Sequence, residues 1–386
     1  MSKPNIGRFS IRLALFCFSC SSVVLVPVST AETSSHAESG VNQIWASSEF
    51  RDAASRLSAA RVETNQFMVA VNEIPAPPFS EADRARFVAD DFRAMGLPTL
   101  IDAAGNVVAT IEGRDASRRI AVIAHLDTVF PESTDVTVAI DGVTYRAPGI
   151  GDNARGLAMM RSLAKAILES EIDTEASIVF VASVGEEGLG DLSGVRHLFG
   201  TPEGRLIEQV IVIDGNQPER IVTTAVGSKR YRVVISGPGG HSFGSFGMVH
   251  PHQALALAIV KLTENAGALV AASERKGTFS VGRIGGGTSI NSIPFESWME
   301  VDLRSVDPAL LVELDNVLQV SVEQAVDAEN DRGVTADLLT YVLKPVGDRP
   351  AGATAPSSRL IQIALAAWQR VGMQGRLTAS STDANI

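Results

Sequence analysis

Three short apolar runs constrain the fold of this chain more than any other feature of its sequence. They occupy residues 120–125, 176–184 and 210–213, and the helical pattern of residues 155–170 separates the first run from the second. Predominantly apolar runs of this length are typical of strands buried on both faces of a parallel sheet. Helices that alternate with such strands indicate an α/β fold, with a mixed, mostly parallel central sheet flanked by helices. In open sheets of this kind the functional site lies at the carboxyl ends of the strands.

Side chains that can bind metal ions follow each of these strands. His125 ends the first strand, and Asp127 points to the same face because successive strand residues alternate. A carboxylate in that place can hold the second ring nitrogen of a metal-bound histidine. Each acid taken singly could be a helix cap or a loop residue, but several carboxylates at one edge repel one another unless cations lie among them. The side chains concerned are His125, Asp127, Asp152, Glu186, Glu187 and Asp214.

Glu186 and Glu187 are adjacent, and neighbouring residues cannot easily share one task. We expect one of them to bind a metal ion and the other to take a proton from a metal-bound water. Disulfides and thiolate ligands are excluded for the mature chain, because Cys17 and Cys20 both lie in an N-terminal segment that we expect to be removed.

This N-terminal segment, residues 1–31, has the pattern of a secretory signal peptide. A positively charged start precedes an apolar stretch over residues 13–28, and small residues at 29–31 offer a cleavage site. We therefore expect a secreted or periplasmic protein with no stable membrane association after cleavage. The formal net charge of -11 argues against a nucleic-acid partner, since phosphate backbones bind basic proteins.

The spacing pattern changes near Gly227. From residue 229 to 343 the predicted elements follow the order β-α-β-β-α-β, which is that of a ferredoxin-like α+β domain. The predicted division of the chain is therefore a signal peptide at 1–31, the first part of a catalytic metal-binding domain at 32–226, an inserted lid and dimerisation domain at 227–344, and an incomplete return of the catalytic domain at 345–386.

Six segments carry a family resemblance. They are AHLDTVF, GIGDNARGLA, SVGEEGLGDLSG, VIDG, GPGGHS and GGTSINSIP, and they span most of the mature chain. In order and content they resemble the M20 family of co-catalytic metallopeptidases, a group that includes tripeptide aminopeptidases, aminoacylases and glutamate carboxypeptidases. The resemblance implies a zinc-exopeptidase-like fold, a homodimer formed through the lid domain, and two divalent metal ions, zinc first with cobalt or manganese as alternatives.

The resemblance also implies how the metal ions are held. One ion is bound by His125 and Asp214 and the other by Glu187, with Asp152 bridging both and followed by a cis peptide bond. The family supplies a final histidine near the carboxyl end, which completes the second site, whereas no histidine follows His252 here. We therefore expect the sequence to be truncated and the ion at Glu187 to lack one ligand.

The remaining roles implied by the resemblance concern catalysis and substrate. Glu186 is the general base that takes the proton of a metal-bound water, and Asp127 orients the metal-binding histidine. In the lid domain, His241 reaches the site of a neighbouring subunit and polarises the scissile carbonyl. Asn291 and Arg304 bind substrate, and the guanidinium fork of an arginine suits a substrate carboxylate.

The resemblance thus implies a di-metal exopeptidase that cleaves amide bonds of small peptides as an aminopeptidase or dipeptidase. Asp214, where other branches have glutamate, and the segment VIDG around it resemble the tripeptide aminopeptidases. An N-acyl amino acid deacylase or a carboxypeptidase of the same family is the first alternative. A non-catalytic dimeric binding scaffold is the second, since truncation or the loss of a metal would produce it.

Overall fold

The computed structural model describes residues 30–215 and 217–385. The predicted signal peptide, residues 1–31, therefore lies outside the described residues except for its last two. The helices are α1 Thr30–Ala46, α2 Ser48–Ala59, α3 Arg61–Asn72, α4 Ala82–Ala94, α5 Arg155–Glu169, α6 Ser193–Gly200, α7 Pro251–Ala272, α8 Pro308–Arg332 and α9 Arg359–Arg370. The strands are β1 Thr99–Ile101, β2 Val107–Ile111, β3 Asp115–His125, β4 Ala139–Asp141, β5 Thr144–Arg146, β6 Ala176–Ser183, β7 Ile207–Val212, β8 Arg220–Ala225, β9 Gly227–Ser236, β10 Gly240–His241, β11 Gly277–Gly286, β12 Ser292–Ile293, β13 Glu296–Ser305, β14 Thr340–Arg349, β15 Gly352–Ala353 and β16 Arg376–Ser380.

The central sheet contains five strands in the order β1-β2-β6-β3-β7. Strand β3 pairs in parallel with β6 and with β7, whereas β2 pairs antiparallel with β1 and with β6. The predicted α/β fold with a mixed central sheet is confirmed. Its parallel part is confined to the three strands that the apolar runs predicted.

Both faces of β6 and of the second half of β3 are buried, which explains the apolar runs there. Along β3, Val122 and Ala124 pack toward helices α3, α4 and α5, while Ala121 and Ile123 pack toward α6. A polar residue on either face would lose its contact with water, so neither face alternates with polar side chains. The site at the strand ends therefore rests on a rigid, closely packed layer.

The second sheet is antiparallel, with the strand order β11-β13-β9-β14, and α7 and α8 pack on one of its faces. Its elements follow the predicted β-α-β-β-α-β order. Helix α7 is long and apolar enough to cross a membrane by length and composition. Ala254, Ala258 and Leu262 on this helix are fully buried in the core between the helices and the sheet.

The last strand of this sheet lies further along the chain than the sequence predicted. We expected a strand over residues 335–343, whereas β14 begins at Thr340 and continues to Arg349. Pro345 lies within β14, which is an edge strand and is irregular between Pro345 and Gly347. Proline is tolerated at such positions because no ladder hydrogen bond is lost.

A third sheet returns the chain to the first domain. Strand β8, which the sequence did not predict, pairs in parallel with β16 and antiparallel with β15. The chain then continues from β16 to the end of the central strand β6, where the Ser183 hydroxyl donates to Asp383 Oδ2 at 2.6 Å. The last described residues therefore lie directly beside the strand ends.

Candidate metal centre

His125 is the last residue of β3, and its side chain is 1% exposed. Its Nε2 lies 2.9 Å from Asp152 Oδ1 and 3.7 Å from Asp214 Oδ1, and its Nδ1 lies 3.0 Å from the carbonyl oxygen of Asp127. Burial alone would lower the pKa of His125, but hydrogen bonds to Asp127, Asp152 and Asp214 outweigh it and raise that pKa well above its usual range. One imidazole is therefore surrounded by acids on all of its polar sides.

The turn before α5 carries Asp152 to this imidazole. The Asn153 side chain donates to the carbonyl oxygen of Ile213 at 2.8 Å, which ties the turn to the end of β7. A Cβ at Gly156 would lie 2.7 Å from that same carbonyl, so only glycine lets the helix start so close to the strand. The peptide bond between Asp152 and Asn153 is cis, as the family resemblance implied.

Asp127 lies beneath the site and is fully buried. Its two carboxylate oxygens accept the backbone N–H groups of Glu186, at 3.0 Å, and Glu187, at 2.7 Å. Its Oδ1 also lies 3.6 Å from His125 Nδ1. Burial would raise the pKa of Asp127, but the hydrogen bond and charge of His125 lower it. Asp127 thus links the end of β3 to the loop that follows β6.

That loop carries the two adjacent glutamates. Glu186 is buried, which raises the pKa of its carboxyl group, although His125 and Arg349 oppose the shift. Burial and the neighbouring charge of Glu186 raise the pKa of Glu187 to about 7. A partly buried acid whose ionisation is opposed by a neighbouring acid, as at Glu187, is typical of a place where a cation binds.

The donor set fits divalent metal ions. His125, Asp152 and Asp214 offer ligand atoms that all lie within 4.8 Å of one another, and so do His125, Glu186 and Glu187. Imidazole and carboxylate ligands suit zinc and related ions. Within the described residues, however, no such group unites Glu187 with Asp152. The first predicted site is therefore assembled with three ligands, while the second is not brought together in the predicted combination.

His241 and Asn291 lie side by side on the second domain. Strand β10 pairs with β12, which sets His241 opposite Ser292, and the N–H of Ser242 donates to the carbonyl oxygen of Asn291 at 3.0 Å. The Nδ1 of His241 accepts backbone N–H groups from Phe243 and Gly244, so its proton belongs on Nε2. The exposed ring therefore presents an N–H donor to its surroundings.

Arg304 is not near that pair. It lies on the open face of the second sheet and donates to Asp302 Oδ2 at 2.7 Å. His241 follows β9 beyond its last residue, Ser236, whereas Arg304 pairs with Ser228 at the other end of β9. Eight residues of strand separate those two ends, or about 26 Å at the usual rise per residue. The structure therefore brings together two of the three second-domain residues that the sequence selected.

Arg349 is a site residue that sequence reasoning missed. It is buried and donates to Glu186 Oε1 at 3.0 Å. It ends an edge strand just before Pro350, and a single arginine at a strand end carries no periodic signal. The one sequence signal for a role of Arg349 was its position immediately before the return to the first domain.

Two more buried charges support the site without having been predicted. Arg84 on α4 donates to the carbonyl oxygen of Leu126, between His125 and Asp127, and burial lowers the pKa of Arg84 to about 10. Burial raises the pKa of Asp383, beside Ser183, to about 7. Helical periodicity alone does not distinguish a buried arginine such as Arg84 from an arginine on the helix surface. Arg84 could therefore not be selected from the sequence.

Sequence comparisons match two successive parts of the chain to two different family models. Residues 106–234 match peptidase family M28, and residues 223–329 match the M20 peptidase dimerisation domain. A protein of Thermococcus kodakarensis named for LysW-lysine/LysW-ornithine hydrolysis is 27% identical over 154 residues. This match covers 40% of the present chain and 41% of that relative.

Solved structures share the fold over most of the chain. The aminopeptidase PepT of Bacillus cereus superposes with a TM-score of 0.65 at 19% identity, covering 83% of this chain and 86% of that one. The dipeptidase Dug1p of Saccharomyces cerevisiae gives 0.66 at 14% identity, covering 87% of each. Bacillus subtilis YXEP, a dinuclear metal-binding peptidase of the M20 family, gives 0.58 at 16% identity, covering 85% of each.

The structural similarities and the family matches support different conclusions. Identities below one fifth establish a common fold and no more, whereas the two family matches cover the strand-end site and the second domain in turn. Together they indicate a hydrolase of the metallopeptidase type, whose fold is shared with M20 family peptidases.

Proposed function

We propose that this protein is a co-catalytic di-metal exopeptidase, an aminopeptidase or dipeptidase that cleaves amide bonds of small peptides. One observation carries the proposal: His125 and four carboxylates converge at the strand ends in two overlapping ligand groups. Acids this close together are costly unless cations bind among them.

The ligands divide between two ions, with zinc favoured by a set of imidazole and carboxylates. His125, Asp152 and Asp214 would hold the first ion, and Glu187 would be a ligand of the second. Such ions polarise a carbonyl group and lower the pKa of water. Asp127 keeps the imidazole and both glutamate backbones in place through the contacts described above.

Glu186 is the proposed general base. Arg349 binds its Oε1, which leaves Oε2 as the oxygen without a bond to that arginine. Oε2 takes a proton from water and passes it to the leaving amine. Glu186 is buried, so little bulk water competes for that proton.

His241 is the proposed donor to the scissile carbonyl. Because two backbone N–H groups occupy its Nδ1, Nε2–H is free to donate to the oxygen on which negative charge develops. We propose that it does so in the site of a second subunit, in a homodimer formed through the second domain. Phe243 and Phe246 follow His241 in the chain and Ile290 precedes Asn291; all three are almost fully exposed and would be covered by such contact.

A peptide panel tests the proposal. With zinc added, we expect hydrolysis of tri-alanine and alanyl-alanine but not of their N-acetylated forms. Glu186→Gln should lower turnover on the order of 10²–10⁴-fold without removing bound zinc, since it deletes only proton transfer. Glu208→Gln, at the far end of β7 from Asp214, is the matched control and should be fully active.

The other outcomes decide between the alternatives. Hydrolysis of N-acetylated substrates alone would move the assignment to a deacylase, and release of the C-terminal residue from blocked peptides would move it to a carboxypeptidase. Purified protein that binds neither zinc, cobalt nor manganese would support a non-catalytic dimeric scaffold.

We also propose export from the cytoplasm, on the pattern of residues 1–31. N-terminal sequencing of the protein recovered from the periplasm or medium should begin at Glu32. An intact N-terminus in the cytoplasmic fraction would contradict export.

A further inference from the structure

Arg349 contacts the proposed base more closely than any other positive side chain described above. Its side chain is 5% exposed and that of Glu186 is 7% exposed. Its Nη1 donates to Glu186 Oε1 and to Ser381 Oγ, each at 3.0 Å. Its Nη2 donates to the main-chain oxygen of Glu186. One guanidinium therefore holds both the carboxylate and the backbone of the same residue.

The loop after β6 is held from the second domain at two further points. Arg230 on β9 donates to the carbonyl oxygen of Gly188 at 2.9 Å. The N–H of Asp348, next to Arg349 on β14, donates to both carboxylate oxygens of Asp191 at 3.1–3.2 Å. The loop that carries Glu186 is thus attached to the two neighbouring strands β9 and β14.

The backbone of this loop needs such support. Asp191 and Leu192 have φ angles of 50° and 63°, in the left-handed region that disfavours residues other than glycine. From the opposite side, Asp127 accepts the N–H groups of Glu186 and Glu187. Glu186 is therefore fixed between the end of β3 in the first domain and the end of β14 in the second.

We propose that Arg349 is a positioning residue for Glu186, and that through it the orientation of the second domain sets where the base lies. The inference rests on the proposed function of Glu186. Because Arg349 belongs to the second sheet, a rotation of that domain carries its guanidinium along and re-aims the glutamate. The two domains are then coupled at the base itself.

Arginine suits this task better than lysine. Its planar fork presents parallel donors to the carboxylate and to the main-chain oxygen at once, whereas a lysine ammonium acts as one point charge. Arg349→Lys keeps the buried positive charge, which limits the cost of leaving Glu186 unpaired. This variant therefore tests how the guanidinium positions Glu186, because the positive charge beside the carboxylate is kept.

Steady-state kinetics of the zinc-loaded protein on tri-alanine give the first readout. We expect Arg349→Lys to lower kcat on the order of 100-fold, the effect of a displacement of about 1 Å, while KM changes less than threefold. In a Glu186→Gln background the same replacement should have no further effect. Arg161→Lys is the matched control, because Arg161 is a buried arginine paired with Asp91 and Glu63 away from the site, and its kcat should be unchanged.

Amide hydrogen exchange of residues 185–192 gives a second readout that needs no turnover. Exchange of this segment should be at least tenfold faster in Arg349→Lys than in the wild type, and unchanged in Arg161→Lys. A kcat within threefold of wild type, or equal losses with and without Glu186, would overturn the inference. If the wild type hydrolyses no peptide, the proposed function fails, and unaltered exchange in Arg349→Lys then overturns the positioning role separately.

Discussion

The strand-end cluster of the first domain and the His241 region of the second domain are organised in opposite ways. His125 is 1% exposed and every polar side of it faces a partner, whereas Phe243 next to His241 is 90% exposed. The first region is assembled by the chain itself, on strands with two buried faces. The second presents a donor among apolar side chains that nothing in the described chain covers. The strand-end half of the proposed active site is therefore preorganised within one chain, whereas the His241 half is left open to a partner surface.

Replacing His125, whose imidazole is common to both ligand groups, should have the largest effect on the preorganised region. His125→Ala should lose bound zinc and all measurable peptide turnover, because His125 belongs to both ligand groups. Zinc content after dialysis, measured by elemental analysis, checks the prediction. His197→Ala on α6 is the control and should keep both properties. Full zinc content in His125→Ala would show that the ion binds elsewhere.

A subunit-mixing experiment tests the role of His241 in the second domain. His241→Ala alone should lower kcat about 100-fold with zinc content unchanged, the usual cost of losing one donor to a developing oxyanion. When Glu186→Gln and His241→Ala proteins exchange subunits, half of the dimers carry one complete site, so about a quarter of the wild-type activity should return. If His241 served its own subunit, mixing would restore nothing.

The apolar residues around His241 offer a smaller effect. Phe243→Ser with Phe246→Ser should weaken dimerisation at least tenfold, because two aromatic side chains would no longer be buried. Sedimentation velocity over a range of concentrations measures the change. Val143→Ser, equally exposed but between β4 and β5 in the first domain, should leave the dimer intact. Equal effects of both variants would point to another interface.

The smallest expected effect concerns the scaffold beneath the preorganised half. Lys165 and Arg161 on α5 hold the pKa of Glu63 on α3 below its usual range, so this link stabilises the fold at neutral pH and is lost as the pH falls through that lowered pKa. Glu63→Gln should cost about 0.5–1 kcal/mol at pH 7, since the carboxylate is partly exposed, and less at a pH low enough to protonate that carboxylate. Urea unfolding at both pH values measures this. Asp90→Asn, an exposed partner of Arg93, is the control.

The sequence predicts the parts of this molecule whose environment is uniform along the chain. Strand β6 and the second half of β3 are buried on both faces, so their apolar runs are visible in the sequence. Strand β8 escaped because both of its faces are half-buried and threonines interrupt it. Strand β14 was misplaced, and its Pro345 is tolerated because the strand lies at an edge.

The site follows the same rule. His125 and the acids could be selected because they end predicted strands, and their number demands a counter-charge. Arg349 could not, because its contact with Glu186 spans 163 residues and depends on how the second sheet rejoins the first domain. The pairing of β10 with β12, which brings His241 to Asn291, likewise depends on two strands too short to leave a periodic pattern.

The most direct measurement is anomalous X-ray diffraction from crystals of the protein grown with zinc, recorded on both sides of the zinc absorption edge. We predict an anomalous peak in contact with His125, Asp152 and Asp214, and an additional weaker peak beside Glu187. A map with no peak at the imidazole of His125, in crystals that contain zinc elsewhere, would contradict the claim that these acids gather to bind metal ions.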